Sequence, residues 1–229
     1  MNEYYSLTNG ESVVYLGRKG GTTMDRTKEN SKAAFDRQAA GYDQGMRGQH
    51  ARSLYPLLLA RLARIPFRTA LDLGCGTGEM LRLLLQADPG RELYGLDLSE
   101  EMLAAARAKL QGRAALTVGD SESLPYPDGT FDVVYCNDSF HHYPAPKKVL
   151  GEVHRVLKPG GTFLMGDCWQ PLAGRVLMNF YMRHSREGDV KIYSRKELTA
   201  LLGVYFHDVS WERVGITACI ASGRKGGCR

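Results

Sequence analysis

The sequence predicts an α/β protein: a seven-stranded sheet, mostly parallel with an antiparallel C-terminal strand, and helices on both faces. Three observations predict it. Short apolar runs alternate with amphipathic ones from Thr69 to Asp167, a glycine-rich turn follows the first of these runs, and the last two runs lie only a few residues apart. Strands joined by helical crossovers form parallel sheets buried on both faces. The closely spaced final pair reads as an antiparallel closure at the sheet edge.

The elements follow in chain order. Residues 1–23 are rich in Gly, Ser, Thr and Asn with little periodicity, so a poorly ordered extension is expected there, and Met24 offers an alternative start. Ala33, Ala34, Phe35 and Ala39, then Leu54, Leu57, Leu58, Ala60, Leu62 and Ala63, recur at helical spacing. They predict two helices, broken near Gly41 to Gly48. TALDL is a strand, EMLRLLLQA a helix, ELYGLDL a strand, SEEMLAAARAKL a helix, and ALTVG and FDVVYCN strands. KKVLGEVHRVL is a helix and GTFLMGD a strand. Beyond them GRVLMNFYMRH reads as a helix, Ser194 to Glu197 as a capping box opening another, and VYFHDVS and ITACIAS as the closing strands.

Composition narrows the function classes. A chain of 229 residues with 43% hydrophobic content can bury a full core. The net charge of +5 is scattered rather than clustered, so nucleic acid is not indicated as a partner. No run approaches the roughly 18 apolar residues of a membrane span, and the N-terminus has no leader pattern, so a cytoplasmic location is expected. The five cysteines, at 75, 136, 168, 219 and 228, are odd in number and lack ligand spacing. Reduced thiols are expected, and no metal site.

In sheets of this kind ligands bind beyond the carboxyl ends of the strands, where strand order reverses. The stretch LDLGCGTGEM puts Gly74, Cys75, Gly76 and Gly78 there, directly after Asp72 and Leu73. Such a turn lets backbone approach a ligand closely, and the helix behind it offers free N–H groups. The spacing is not that of a dinucleotide fingerprint, because Glu79 stands where a glycine is required, and no phosphate-loop Lys follows. Asp72 and Glu79 would repel a pyrophosphate, whereas Asp72 would attract a cation. S-adenosylmethionine, a nucleoside with a sulfonium and an ammonium, satisfies both conditions.

At these residues the sequence resembles the class I S-adenosylmethionine-dependent methyltransferases, in particular the small-molecule branch that includes the ubiquinone and menaquinone biosynthesis enzymes. LDLGCGTG is similar to the first motif of that family, LYGLDLSEEML to its second, GDSESLPYPDGTFDVVYCNDSFHHYP to its adenine-side segment, and EVHRVLKPGGTFLM to its post-catalytic strand. The resemblance covers residues 35 to 165. It implies a Rossmann-like, doubly wound fold, with residues 24–66 as lid helices, 67–168 as the cofactor-binding core and 169–229 as substrate-side helices and closing strands.

The resemblance also assigns roles. Asp97 would accept hydrogen bonds from both ribose hydroxyls, against the plain alternative of helping Ser99 cap a helix. Leu98 and Met102 would pack on adenine, with Asp120 accepting from the adenine amino group and Ser121 offering a backbone N–H. The backbone of Asn137 would face the amino-acid end of the cofactor, or Asn137 would serve as a turn residue. Tyr42, in the AxxYD pattern of the lid, would hold its ring near the sulfonium, or pack as an ordinary helix-end tyrosine. His50 and Arg47 follow on a helix whose solvated face is the simpler location for them.

His141 and His142 are the candidate catalytic residues, because histidine is the natural general base near neutral pH. The alternative is that they line the cofactor pocket, since transfer from a sulfonium is an in-line displacement that positioning alone can carry. Cys136 reads as a small buried hydrophobe. Trp169, Phe180, Tyr181 and Met182 would suit an apolar acceptor, and Arg175, Arg183 and Arg186 an acidic group on it. A core face and a wet face of one amphipathic helix explain the same residues more simply. The expected activity is methyl transfer to a small-molecule acceptor, against a protein or RNA methyltransferase or a non-catalytic cofactor-binding module. Oligomeric state is left open.

Overall fold

Ser6–Thr8 (β1) and Val13–Tyr15 (β2) pair antiparallel. The computed structural model describes these two strands by their backbone, and residues 25–46, 48–182, 185 and 187–227 in full. The rest of the expected N-terminal extension, together with Arg47, Arg183, Arg186 and Cys228, lies outside the described residues.

Two helices precede the main sheet. Arg26–Gln38 (α1) starts at Asp25, whose side chain accepts the Thr27 N–H, and runs into a single 3₁₀ turn, Ala39–Gly41. Gln49–Leu62 (α2) buries Ala51, Leu54, Leu58 and Leu62, a stripe at helical spacing. The break between them falls where Gly41, Gly45 and Gly48 were expected to interrupt the pattern.

The sheet elements follow as Thr69–Leu73 (β3), Glu79–Ala87 (α3), Glu92–Asp97 (β4), Glu100–Leu110 (α4), Ala115–Val118 (β5) and Phe131–Asn137 (β6). Pro146–Val156 (α5), Leu157–Cys168 (β7), Leu172–Met182 (α6), Arg195–Leu202 (α7), His207–Val214 (β8) and Ala218–Arg224 (β9) complete it. Strand order is β5-β4-β3-β6-β7-β9-β8. All neighbours are parallel except β9, which runs antiparallel to both β7 and β8. The fold is the doubly wound, mostly parallel sheet that the sequence predicts.

Each face of the sheet has its own core. One joins Leu71, Phe131, Val134 and Phe163 to Val149, Leu150 and Val153 of α5 and to Leu198 and Leu202 of α7. The other joins Ala70, Val133, Tyr135 and Leu164 to α2, α3 and α4. Helix α3 shows why the pattern works: Met80, Leu81, Leu84 and Leu85 are all buried, each contributing about 1.5–3 kcal/mol of transfer free energy. At the end of the sheet away from the glycine turn, the Asp132 carboxylate accepts from Arg68 N, Thr69 N, Thr69 Oγ1 and Lys158 Nζ at 2.8–3.0 Å. These bonds lock β3, β6 and β7 in register.

Two expectations are corrected. Strand β8 begins at His207 rather than Val204, because Phe206 turns into the core beneath α7. Helix α6 has almost no core face: Met182 is its buried residue, while Leu172, Val176, Leu177, Phe180 and Tyr181 are 61–68% exposed. Its apolar side chains are left facing outward, contrary to the amphipathic reading in which they form a core face. Among the described residues, no helix is long and apolar enough to cross a membrane.

Candidate cofactor site

Chain order runs outward from β3 to β4 and β5, then returns to β6, so the gap between β3 and β6 is where strand order reverses. Flanking loops must diverge there, which opens a crevice at the carboxyl ends of the strands. A cavity of about 780 Å³, counting its mouth, occupies that position. Gly74 and Gly76, Leu96 to Ser99, Gly119 to Ser121 and Asn137 to Ser139 form its floor and sides. Lys28, Ser31, Lys32 and Phe35 roof it.

The glycine turn is built for close approach. Gly74 has φ of +77°, and a Cβ there would meet Ser139 Cβ at 2.9 Å, so no other residue fits. Gly78 serves the fold instead: at φ of +73° it starts α3, and a Cβ would press on Ala106 and Leu110 of α4 at 3.0–3.1 Å.

Asp97 ends β4 and lines the cavity. One carboxylate oxygen accepts Gly76 N at 2.8 Å and the other accepts Ser99 N at 2.9 Å. Each oxygen keeps a lone pair for a ligand hydroxyl, and burial pushes the carboxyl above its usual range against these bonds. Ser99 itself caps α4, accepting Met102 N at 3.1 Å. Leu98, Met102, Asp120 and Ser121 line the same wall. Asp120 accepts Glu122 N at 2.9 Å and pairs with Lys28 at 2.7 Å.

Asn137 ends β6. Its amide donates to Ala51 O at 3.1 Å, and its Oδ1 is buried with no hydrogen-bond partner among the described residues. The bare Gly74 backbone and the Asp97 carboxylate, whose two oxygens each keep a lone pair, are chemically suited to S-adenosylmethionine, which brings a sulfonium and two ribose hydroxyls.

The roof holds residues that the sequence reading missed. Lys28, Ser31, Lys32 and Phe35 stand at i, i+3, i+4 and i+7 of α1, one helical face, of which the sequence singles out only Phe35, as a helix position. Ionic and hydroxyl contacts tie this roof down. Lys28 also pairs with Glu122 at 2.8 Å, Ser99 Oγ donates to Asp36 at 2.5 Å, and Asp43 joins Thr77 Oγ1 at 2.5 Å and Lys109 at 2.7 Å. Tyr42 lines the cavity; burial pushes its hydroxyl up to about 12, so it stays protonated. Phe35 meets Tyr42 and His142 edge-on, at 6.2 and 5.1 Å between ring centroids.

Three other residues sit apart from the cavity lining. Asp72 is 2% exposed beside Tyr135, and burial pushes its carboxyl up to about 8, so near neutrality it is uncharged rather than a counter-ion. Cys75 is buried against Gly95. Glu79 pairs with Arg82 at 2.6 Å and Lys109 at 3.1 Å, so its charge is already met. Exclusion of a pyrophosphate rests instead on the cavity itself, where both lining lysines are engaged, Lys32 with Asp36 at 2.6 Å.

The two histidines divide. His142 lines the cavity, and burial together with His141 lowers its pKa to about 4, so it is neutral near pH 7 and a weak base. His141 turns away: its Nδ1 lies 2.6 Å from Asp167 Oδ1. Burial opposes its charged form, yet Cys168 and Asp167 raise its pKa well above the ordinary value. His50 is not on a solvated face, since its Nδ1 lies 2.7 Å from the cavity residue Asp138, and that bond raises its pKa. Trp169 packs edge-on against Trp211 at 5.7 Å rather than facing an acceptor, and Arg175 donates to Gln170 O at 3.2 Å. Cys75, Cys136, Cys168 and Cys219 are free thiols.

The doubly wound sheet and the crevice at its switch point, lined by Asp97 and Asp120, are those of a Rossmann-like nucleotide-binding protein. Comparison with known proteins gives the family. Residues 71–165 match the profile described as a methyltransferase domain. The chain is 34% identical over 174 residues to malonyl-acyl-carrier-protein O-methyltransferase of Pectobacterium atrosepticum, covering 71% of this chain and 67% of that one. It is 31% identical over 168 residues to demethylmenaquinone methyltransferase of Thermotoga maritima, covering 69% and 71%. A chain from the solved complex between the Haloferax volcanii Trm112 methyltransferase activator and a putative methyltransferase superposes with a TM-score of 0.70 at 26% identity, covering 84% of this chain and 97% of that one. The chain belongs to the S-adenosylmethionine-dependent methyltransferase family. It spans about half the length of other curated relatives it matches, from 40% to 53%.

Proposed function

We propose that this chain binds S-adenosylmethionine and transfers its methyl group to a small-molecule acceptor by in-line displacement. The observation that carries this reading is a cavity at the strand-order switch point lined by Gly74, the Asp97 carboxylate, Asp120 and Asn137. When bound, the cofactor supplies a methyl group on a positively charged sulfur that leaves as a neutral thioether. Asp97 would hold the ribose, Leu98 and Met102 the adenine faces, and Asp120 and Ser121 its edge. Residues 24–66 act as the lid, residues 67–168 as the cofactor core, and residues 169–229 contribute to the acceptor side. Tyr42 and Phe35 exclude water from the reacting end, and their ring faces favour a nearby cation by about 0.5–2 kcal/mol. His142, neutral and buried, orients rather than deprotonates.

One relative named above is called demethylmenaquinone methyltransferase, a name whose acceptor is a small molecule, which supports the acceptor class. The test is transfer of isotope from labelled cofactor to a cell extract fractionated into small molecules, RNA and protein. Label in the small-molecule fraction is expected. Label confined to RNA or protein would overturn the acceptor class, and tight cofactor binding without transfer to any fraction would overturn catalysis.

A further inference from the structure

His141, His142, Asp167 and Asp189 cluster beside the cavity, and the proposed methyl transfer does not use most of them. We propose that His141, His142 and Asp189 form a binding site for one divalent transition-metal cation of the zinc class, set against the cavity wall that His142 lines.

Geometry carries the assignment. His141 Nε2 lies 3.7 Å from Asp189 Oδ1, and His142 Nδ1 lies 3.4 Å from the same oxygen. The three ligand atoms all lie within 4.8 Å of one another. Zinc bonds of about 2.0–2.2 Å arranged tetrahedrally put neighbouring ligand atoms about 3.4 Å apart, so the two separations from Asp189 Oδ1 are near those of a bound ion. They are too long for good hydrogen bonds.

The supporting contacts are those a metal site requires. His142 Nδ1 is buried and makes no hydrogen bond among the described residues. The other nitrogen of His141 is held by Asp167 at 2.6 Å, and Asp167 also accepts His141 N at 3.1 Å and Cys168 N at 2.6 Å. A carboxylate on the far ring nitrogen is the usual outer support of a ligating histidine, and an arriving cation would displace the proton from the near nitrogen. Asp189 has no Lys or Arg partner among the described residues; its neighbour Lys191 pairs with Glu197 at 2.6 Å. The segment carrying Asp189 is also fastened in place. Val190 N and Lys191 N donate to His141 O at 2.9 and 3.2 Å, and Asn179 of α6 makes two bonds to Ile192. Backbone bonds therefore help to hold the carboxylate facing the two imidazoles.

A competing triplet, His141, Asp167 and Cys168, is also compact. Its Nδ1 to Oδ1 separation of 2.6 Å is a hydrogen bond with no room for an ion between the atoms. Three protein ligands leave a fourth position for water or an acceptor atom. The site would thus place a Lewis acid beside the transfer chamber. Sequence spacing hides it, since Asp189 reaches the two adjacent histidines only through the fold.

The experiment is a titration of chelator-stripped full chain with Zn²⁺ by calorimetry and with Co²⁺ by visible absorption, both without cofactor, so its failure is separate from failure of the methyl-transfer reading. One equivalent is expected, with Co²⁺ bands of a four-coordinate site. H142Q and D189N should each weaken binding by more than about a hundredfold, and D167N by about tenfold or more through loss of outer support. C168S should bind as the parent does. Circular dichroism confirms that each variant is folded. Absence of saturable binding, binding untouched by H142Q and D189N, or a thiolate charge-transfer band that C168S abolishes would each overturn the proposal.

Discussion

Replacing Asp97 probes fold and site together. Its carboxylate holds Gly76 N at 2.8 Å and Ser99 N at 2.9 Å, one on each oxygen. D97A removes both acceptors from half-buried amides in the two turns that shape the cavity. At about 1–2 kcal/mol for each stranded donor, the folded state loses about 2–4 kcal/mol. For a domain of this size that lowers Tm by about 4–16 °C. Cofactor affinity falls separately, because a charge-assisted contact to the ribose is worth about 1.5–3 kcal/mol, tenfold to a hundredfold or more in Kd. D97N separates the two effects. Its one amide oxygen serves one of the two N–H groups, while its NH₂ opposes the other, so it should recover about half of the Tm loss and little of the affinity. Thermal melts and calorimetric titration of both variants measure this. A D97A protein with Tm within about 1 °C of the parent, or with unchanged Kd, would refute the reasoning.

Other outcomes follow from the same geometry. K28M strands Asp120 and Glu122 beneath the roof; hydrogen exchange should rise across residues 26–38, and cofactor Kd should weaken about threefold to tenfold, whereas unchanged exchange would show that the ion pairs do not hold the lid. In D132A the sheet loses a carboxylate that burial disfavours, but that Lys158 and the Arg68 and Thr69 donors hold down at about 2, below its unfolded value. That group's stability, on the order of 2 kcal/mol, is full above pH 4 and lost as pH falls through 2, so urea midpoints of parent and variant should converge only at the acid end. H142N should raise cofactor Kd about twofold to tenfold by losing the ring contact with Phe35, with a modest change in kcat. Because the His142 pKa is lowered to about 4, the parent's kcat profile should show no His142 inflection near pH 6.5; an inflection there that H142N removes, with a turnover loss of about a hundredfold, would make it the general base.

Periodicity made β3, α3 and β6 legible to the residue, because each is a strand or helix whose burial pattern and glycine or polar boundaries agree. The cavity walls were legible for the same reason: Gly74, Asp97 and Asn137 stand at strand ends, and strand ends converge in this topology. The roof was not, since nothing local marks Lys28 and Lys32 as site residues until α1 folds over the strands. The His50–Asp138 and His141–Asp167 contacts join residues far apart in the chain, and no local pattern encodes such pairs. Asp72 illustrates the opposite error. Its charge was inferred from residue type, whereas full burial in a central strand removes it.

Strand β9 follows β8 in the chain but sits inside the sheet, between β7 and β8. During synthesis, β7 therefore emerges with an unpaired outer edge, and β8 emerges with no strand to join. Both wait until residues 218–224 have cleared the ribosome. An open edge on a nearly finished sheet is a template for pairing with neighbouring nascent chains. Protection by chaperones should thus matter most in the interval between translation of Cys168 and of Arg224, and a stalled chain ending near residue 215 should aggregate where a complete one does not.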